Sequence, residues 1–349
     1  MLRAARARRI AAATAFGGGG LTLVGGGTVA LLYLQARLAR NAIGFTEWER
    51  PRIDGVHGDG TGSPIRLLMA GDSTAAGFAV DEAAQTPGVM IARGLSAAAE
   101  RPVRLRCTAV PGATSAHLKS QLERARVHEE DARFDLAVIF IGANDVIRRV
   151  RPNDAVAQLR ATTRQLISRG TSVVVATCPD LGTVRPIGWP LRSVARRASR
   201  QLAAAQTIAV TEAGGRTVSL NDLLTDGFVA DPTMFGPDRF HPSAHGYAQA
   251  AFAVLPSACT ALGLLPELDE SERRTEGILP ADRAAIVAAE TAGTEVSPVD
   301  PADTTRRSGR WITRVRGPFR RSAREHTDRS EGNDARSSTP SGLRERRTG

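Results

Sequence analysis

The sequence is poor in aromatic residues, in lysine and in cysteine. Aromatic residues make up 4% of its 349 residues, so a folded core has to come from Val, Leu, Ile and Ala, which a hydrophobic fraction of 42% can supply. The three cysteines, Cys107, Cys178 and Cys259, contain no Cys-x-x-Cys spacing, which argues against a cysteine zinc site. Their odd number leaves at least one thiol unpaired in a monomer. One disulfide is compatible with an exported domain, and the sequence does not select the pair.

Several common motifs are also missing. There is no Gly-x-Ser-x-Gly elbow, which argues against the ordinary α/β-hydrolase fold, and no phosphate loop or dinucleotide fingerprint. The formal net charge is +10, and because Lys119 is the only lysine, almost all the cations are arginines. Much of this excess lies at the two ends of the chain without any nucleic-acid-binding motif. We therefore expect no nucleic acid partner.

The N-terminal segment, residues 1–40, has the features of a signal or anchor. An uncharged stretch of 25 residues, 10–34, is long enough to span a bilayer. Arginines are more numerous before it than after it, which predicts a cytoplasmic N-terminus and the rest of the chain outside the cytoplasm. We prefer an uncleaved membrane anchor to a cleaved secretory signal, because the cleavage site at Thr28-Val29-Ala30 is weak; cleavage would release the protein to the cell envelope. A disordered leader rich in Gly and Ala is the third interpretation.

Composition divides the rest of the chain into three segments. Residues 41–63 form a Gly-rich linker, residues 64–265 a folded domain, and residues 266–349 a charged tail that we expect to be mostly disordered. Within the tail, residues 306–324 hold eight arginines and no acidic residue. This basic patch suits attachment to an anionic lipid or polymer, but a solvated run of charge is the simpler interpretation and the one we prefer.

Apolar runs alternate with helical patterns between residues 64 and 265. Five runs predict strands: Ile65–Ala70, Val103–Ala109, Leu136–Ile141, Ser172–Thr177 and Thr217–Leu220. Helical patterns lie near residues 86–99, 115–129, 153–169, 190–213 and 243–262. This alternation predicts the α/β class, as a three-layer α/β/α sandwich with about five parallel strands. An active site is then expected at the carboxyl ends of the strands.

Four polar motifs fall at or after predicted strand ends. They are Gly71-Asp72-Ser73, Pro111-Gly112-Ala113-Thr114, Gly142-Ala143-Asn144-Asp145 and Asp238-Arg239-Phe240-His241-Pro242. Ser73 follows a buried-type strand and precedes small residues, which suits an accessible nucleophile. A histidine such as His241 can take the serine proton near neutral pH, and Asp238 is close enough in sequence to orient its imidazole.

Each of these residues also has an ordinary structural interpretation. A lone Ser73 reads as a turn or capping serine, and a lone His241 as a histidine packed under the last helix. Asn144 reads as a loop amide bound to the backbone. We expect Asp72 and Asp145 to support their turns, and the three cysteines to be buried small side chains.

A metal site is a further alternative that the spacing disfavours. His241 and His245 are four residues apart and could bind a metal together with Asp238. Pro242 favours a helix that begins after His241, and no His-Glu-x-x-His pattern is present. We therefore expect neither a metal nor an organic cofactor.

Taken together, the four motifs make residues 64–262 resemble the SGNH (GDSL-type) hydrolase family. The family's blocks match at Ser73, at Gly112, at Asn144 and at the pair Asp238 and His241. The resemblance implies a flavodoxin-like α/β/α fold and a catalytic set of Ser73, His241 and Asp238. It also implies an oxyanion hole formed by Ser73, Gly112 and Asn144.

The departures from the family pattern are mild. The asparagine that usually precedes the second-block glycine is absent from Thr108–Pro111, which removes one structural hydrogen bond and leaves the catalytic set intact. An insert at Leu181–Leu191, which contains Trp189, is expected to shape an acyl or acceptor pocket.

These inferences predict a lipase-like serine esterase that hydrolyses small acyl or acetyl esters through an acyl-enzyme intermediate. The substrate classes considered are esters of lipids and of envelope glycans. The closest alternative is an acyltransferase that uses the same residues and a sugar or lipid hydroxyl in place of water. A noncatalytic envelope-binding protein with the same pocket, and a metallohydrolase, are the alternatives from other classes. The sequence leaves the oligomeric state open.

Overall fold

A computed structural model gives the architecture of most of the central region of the chain. The residues it describes are 28–38, 48–126, 133–184, 186–220, 232–265, 278–291, 294–298 and 310–315. Most of the predicted anchor, residues 10–27, lies outside these ranges, and residues 28–34 belong to a helix, α1, that covers residues 28–38. Among the described residues, no helix combines the length and the apolar composition needed to cross a membrane.

One sheet of nine strands runs through the structure. The strands are β1 (Gly55–His57), β2 (Ile65–Gly71), β3 (Val103–Cys107), β4 (Leu136–Phe140), β5 (Ser172–Ala176), β6 (Arg216–Val218), β7 (Ile278–Pro280), β8 (Thr294–Pro298) and β9 (Arg310–Val315). They lie in the order β1-β3-β2-β4-β5-β6-β8-β9-β7. The five central strands, from β3 to β6, are parallel, and the outer strands pair in antiparallel fashion. The prediction of about five parallel strands is confirmed.

Helices follow each of the first four central strands in sequence. Beyond α1, they are α2 (Ser73–Ala76), α3 (Pro87–Ala99), α4 (Leu118–Arg126), α5 (Ala143–Ile147), α6 (Pro152–Ile167), α7 (Leu191–Glu212), α8 (Ala244–Ala261) and α9 (Ala281–Glu290). Two of these helices begin at residues whose side chains cap the first turn. Thr86 caps α3 through the Val89 amide and Pro87 occupies its first turn, and Ser243 caps α8 through the Gly246 amide.

The two faces of the sheet bury two separate hydrophobic clusters. Along β2, Leu67 and Met69 point to one face and Leu68 and Ala70 to the other, because side chains alternate along a strand. The first cluster also takes in apolar side chains of α3 and α8, and the second takes in those of α4, α6 and α7. Helices therefore cover both faces, which makes the domain the expected three-layer α/β/α sandwich. Each fully buried aliphatic side chain stabilises it by about 1.5–3 kcal/mol.

In the tail, which the sequence predicts to be mostly disordered, the described residues form one helix and three strands. Strand β8 pairs with β6 and carries the sheet onward to β9 and β7. Helix α9 buries Ala284 and Ala288 against Val296 of β8, and Glu295 of β8 forms an ion pair of 2.9 Å with Arg216 of β6. The predicted linker likewise contributes the short edge strand β1. The small residues of α9 permit this close packing. The sequence does not predict it, because the composition of the tail as a whole is dominated by charged residues.

Candidate active site

Ser73 stands directly after the end of β2, where the backbone makes a tightly enclosed turn. Gly71 has φ +131°, and a Cβ at this position would lie 1.9 Å from the Phe140 carbonyl oxygen, so only glycine fits. The Asp72 amide donates to that same carbonyl at 3.0 Å, which extends the pairing of β2 with β4 by one residue. The buried Gln121 side chain accepts from the Gly71 amide and donates to the Gly71 carbonyl, both at 2.7 Å.

Asp72 supports the turn that presents the serine, as the sequence predicts. Its carboxylate accepts from the Thr74 amide at 2.9 Å and caps α2, whose other end is closed by Gly77 in the left-handed conformation. Burial raises the pKa of Asp72 to about 6, although the hydrogen bond from the Thr74 amide and the nearby His241 oppose the rise. Burial therefore disfavours the ionised form of Asp72 in the folded protein, and other interactions of the turn have to offset this loss of folding free energy.

The loop before α8 forms a compact frame around Asp238 and His241. Asp238 Oδ1 accepts from the amides of Phe240 and His241, both at 3.0 Å, and its Oδ2 lies 2.5 Å from His241 Nδ1. The Gly236 amide donates to the His241 carbonyl at 2.8 Å, which closes the loop from the other side. Burial acts to raise the pKa of Asp238, but the hydrogen bonds from His241 and Phe240 outweigh it, so that this pKa is lowered. The carboxylate is thus held ionised against the imidazole.

His241 connects this loop to the serine across the cleft. Its Nε2 lies 3.0 Å from Ser73 Oγ, although the two residues are 168 positions apart in sequence. The ring packs against Phe78, with centroids 4.4 Å apart, and meets the edge of Phe240 at 4.8 Å. With the Nδ1 proton donated to Asp238, Nε2 is free to accept the serine proton. The structure therefore brings together all three residues of the predicted catalytic set in the order Ser73, His241, Asp238.

The predicted oxyanion donors come from two neighbouring turns. Gly112 has φ +78° in a turn that is anchored to the end of β2, where the Val110 amide donates to the Gly71 carbonyl at 3.1 Å. Asn144 lies in the first turn of α5, after Gly142, and lines the cleft together with Ser73 and His241. Both candidates are thereby placed beside the carboxyl end of the central strands.

Buried polar side chains that the sequence does not single out support these turns. Gln206 of α7 donates to the Ile141 carbonyl at 3.1 Å and accepts from the Cys178 amide at 2.8 Å, which joins the ends of β4 and β5. A single glutamine in a helical pattern carries no signal of this role. Asp145, predicted to be structural, accepts from the amide and hydroxyl of Ser115 and so ties the Gly112 turn to α5. Burial raises the pKa of Asp145 against these hydrogen bonds.

The cleft beside Ser73 is lined mostly by apolar side chains. They are Leu181, Val184, Leu220, Phe235, Phe240 and Ala250. The predicted insert contributes Leu181 and Val184 to this wall, whereas Trp189 is 78% exposed and is not among the lining residues. Asp180, also in the wall, is held by hydrogen bonds to the Gly182 amide and Arg200. An apolar wall next to a hydroxyl suits the hydrocarbon part of an acyl group.

The remaining candidates from the sequence occupy structural positions. Cys107, Cys178 and Cys259 are buried, as predicted for small core side chains. His245 Nε2 faces the Gln249 amide at 3.5 Å. Within the part of the chain that the structure describes, no group of three His, Cys, Asp or Glu residues is arranged to hold a metal ion.

The class of the protein follows from its family: it is an enzyme that hydrolyses ester bonds. Its family follows from comparison with known sequences. The chain belongs to the GDSL-like lipase/acylhydrolase family, whose sequence profile matches residues 69–249. It is 41% identical over 244 residues to the GDSL-like esterase Rv1075c of Mycobacterium tuberculosis, an alignment that covers 66% of this chain and 77% of the relative.

The chain is also similar to two solved structures. The acetylxylan esterase Axe2 of Geobacillus stearothermophilus is 19% identical, with a TM-score of 0.44, over 59% of this chain and 99% of Axe2. TesA is 21% identical, with a TM-score of 0.41, over 57% of this chain and 99% of TesA.

Proposed function

We propose that the protein hydrolyses carboxylic esters through an acyl-enzyme formed on Ser73. The observation that carries the proposal is the unbroken series of contacts from Ser73 Oγ to His241 Nε2, at 3.0 Å, and from His241 Nδ1 to Asp238 Oδ2, at 2.5 Å. A serine hydroxyl needs a base to become a good nucleophile, and an oriented neutral imidazole supplies one.

In the first half of the reaction, Ser73 Oγ attacks the ester carbonyl carbon while its proton moves to His241 Nε2. The tetrahedral intermediate collapses when the bond to the alcohol oxygen breaks and His241 returns the proton to that oxygen. In the second half, His241 takes a proton from water, whose oxygen attacks the acyl carbon. The bond to Ser73 Oγ then breaks, the proton returns to the serine and the carboxylic acid leaves. Asp238 stays ionised and stabilises the imidazolium throughout.

The negative oxygen of each intermediate is assigned to three donors: the amides of Ser73 and Gly112 and the side-chain amide of Asn144. One donor of this kind is worth about 3 kcal/mol of barrier in serine hydrolases. Support comes from the positive φ of Gly112 and from the position of Asn144 in the cleft wall beside Ser73. Removing the Asn144 amide should lower kcat about 100-fold or more and leave KM nearly unchanged.

The apolar wall supports an acyl ester as substrate, with its hydrocarbon part against Leu181, Val184 and Phe240. We infer that the alcohol part belongs to a lipid or an envelope glycan. This follows from the proposed location: residues 10–34 anchor the chain in a membrane and the catalytic domain lies outside the cytoplasm. Fractionation of cells that express the full chain, followed by protease treatment of intact spheroplasts, tests the location. A protein found with the soluble cytoplasmic fraction contradicts it.

Turnover of p-nitrophenyl esters of increasing chain length tests the reaction. The wild type should hydrolyse them in the presence of chelator, and Ser73→Ala should lose more than about 1000-fold in kcat/KM. Equal turnover by both proteins overturns the role of Ser73. Adding glycan or lipid alcohols to the same assay separates hydrolysis from transfer: an acylated acceptor formed with negligible free acid replaces the esterase with an acyltransferase that uses the same residues.

A further inference from the structure

Helix α1 exposes large apolar side chains over more than half of its circumference. Together with Trp189, which is 78% exposed, five residues of this helix form what we call the apolar rim: Val29, Leu31, Tyr33, Leu34, Leu38 and Trp189. At 100° per residue the five positions on α1 span an arc of about 200°, and Leu32, Gln35 and Ala36 on the remaining face are half-buried. A surface helix ordinarily turns its apolar stripe to the core and its polar residues to solvent, whereas α1 turns five large apolar side chains outward. The rim is therefore a surface that needs an occupant.

The rim is attached to the wall of the catalytic cleft. Gln35 of α1 donates from Nε2 to the Trp189 carbonyl at 2.6 Å and accepts from the Leu191 amide at 3.1 Å. This loop belongs to the insert that lines the cleft, and Ile187 packs into one cluster with Leu181 and Phe240. Whatever covers α1 therefore lies next to the insert that contributes Leu181 and Val184 to the cleft wall.

The sequence and the charges around the rim indicate what the occupant is. Helix α1 continues an uncharged stretch that begins at Ile10, so the rim is the distal end of a longer apolar segment. Tyr33 and Trp189 each combine an apolar ring with a polar tip, the residue types concentrated where a bilayer meets water. The exposed Arg37, on α1, and Arg192, three residues after Trp189, add attraction for anionic headgroups.

We propose that the apolar rim sits in the interface of a lipid bilayer, with Trp189 inserted among the acyl chains beside the cleft. The inference rests on the proposed esterase function, and it deepens that function by naming the source of the substrate. Esters that partition into the bilayer enter the cleft from the membrane side along Leu181 and Val184. Water-soluble esters enter from solvent and do not depend on the rim.

Fluorescence of Trp189 tests the contact with lipid. The full-length protein is mixed with vesicles of equimolar phosphatidylglycerol and phosphatidylcholine, with and without bromine on the acyl chains. The difference between wild type and Trp189→Phe isolates the Trp189 signal from the other tryptophans. Bromine should quench that signal. Unquenched Trp189 emission overturns the proposal, as does a dimer in lipid-free solution in which Trp189 is shielded by a second copy.

Turnover tests the consequence for substrate entry. Because both hydrogen bonds of Gln35 to the Trp189 loop go to backbone atoms, Trp189→Ser removes the ring and keeps the tether. It should lower turnover of a long-chain ester held in vesicles by about threefold or more and leave that of p-nitrophenyl acetate unchanged. The matched control is Phe252→Ser on α8, which removes an aromatic side chain of similar exposure, 69%, outside the rim and should change neither rate.

The outcomes separate this inference from the proposed function. A loss on both esters, or on neither, overturns the rim as an entry surface. If the wild type hydrolyses neither ester, the esterase proposal fails by itself, and the quenching result still decides whether the rim contacts lipid.

Discussion

Gln121 holds the backbone of the turn that presents Ser73, and its replacement should affect both stability and activity. Its amide makes two hydrogen bonds of 2.7 Å to the backbone of Gly71, two residues before the serine, and it is fully buried. Gln121→Met keeps the length and the helix propensity of the side chain but removes both hydrogen bonds. The Gly71 amide is then left buried without a partner, while the Gly71 carbonyl keeps the Val110 amide at 3.1 Å.

The magnitude follows from these contacts. A buried amide without a partner costs about 1–3 kcal/mol, and the loss of one of two donors at the carbonyl costs about 0.5–1 kcal/mol. The free energy of unfolding should therefore fall by about 1.5–4 kcal/mol. Activity should fall as well at temperatures where the variant is fully folded, because the end of β2 can now shift relative to His241.

Urea unfolding followed by circular dichroism measures the first effect, and kcat/KM for a short p-nitrophenyl ester measures the second. The control is Gln158→Met, which makes the same chemical change at an exposed position of α6. It should change the unfolding free energy by less than about 0.5 kcal/mol. A Gln121→Met protein as stable and as active as this control refutes the reasoning.

Three further predictions concern the same region. Asp72→Asn should abolish one component of the pH dependence of stability. The pKa of Asp72 is about 6 in the folded protein and 3.8 ordinarily, so the wild type should lose roughly 3 kcal/mol of unfolding free energy as pH rises from 4 to 6. The variant lacks this loss, so its unfolding free energy should exceed that of the wild type by a growing margin as pH rises. Equal pH dependence of the two unfolding free energies contradicts the pKa shift. Asp238→Asn should lower kcat/KM by about 1000-fold or more with little change in melting temperature. The amide oxygen keeps the two backbone hydrogen bonds while the amide nitrogen faces Nδ1 and forces the wrong tautomer on His241; near-normal activity would show that Asp238 does not orient the ring. Gly71→Ala should destabilise the fold by more than about 3 kcal/mol through overlap with the Phe140 carbonyl, whereas Gly263→Ala, where φ is +71° and nothing lies within 4 Å, should cost about 1 kcal/mol in the same unfolding assay.

The central part of the fold was predictable because each element carries a strong local signal. The buried strands are continuous apolar runs, and the predicted Leu136–Ile141 differs from the observed β4, Leu136–Phe140, by one residue. Helix α3 begins at Pro87 after the cap Thr86, as the sequence indicates. These patterns reflect physical requirements of two-sided burial and of unpaired helix amides, so they can be read without tertiary information.

The edge strands of the sheet could not be predicted, because they lack the strong local signal that the central strands carry. Strand β1 has three residues and begins with glycine, and β8 contains Glu295, whose burial makes sense only once Arg216 of β6 is beside it. From the sequence alone, a charged residue inside a strand indicates an exposed position. The ion-pair partner that allows Glu295 to be buried is 79 residues away and cannot be identified from local sequence. Tertiary pairing, and not local propensity, decides such elements.

The site divides in a similar way. Ser73, Asp238 and His241 could be predicted because their spacing and neighbours form motifs, and Asp72 and Asp145 could be assigned to support. The roles of Gln121 and Gln206 could not be predicted, because each contacts backbone that is distant in sequence, 50 and 65 residues away. Support of this kind depends on geometry alone.

The central claim is that the imidazole of His241 activates Ser73 as the nucleophile. Its most direct test is reaction with a fluorophosphonate, followed by mapping of the modified peptide by mass spectrometry. The wild type should carry the label on Ser73, and His241→Ala should react slower by about 100-fold or more while remaining folded. A label on another residue, or equal rates of Ser73 labelling in the two proteins, would contradict the account.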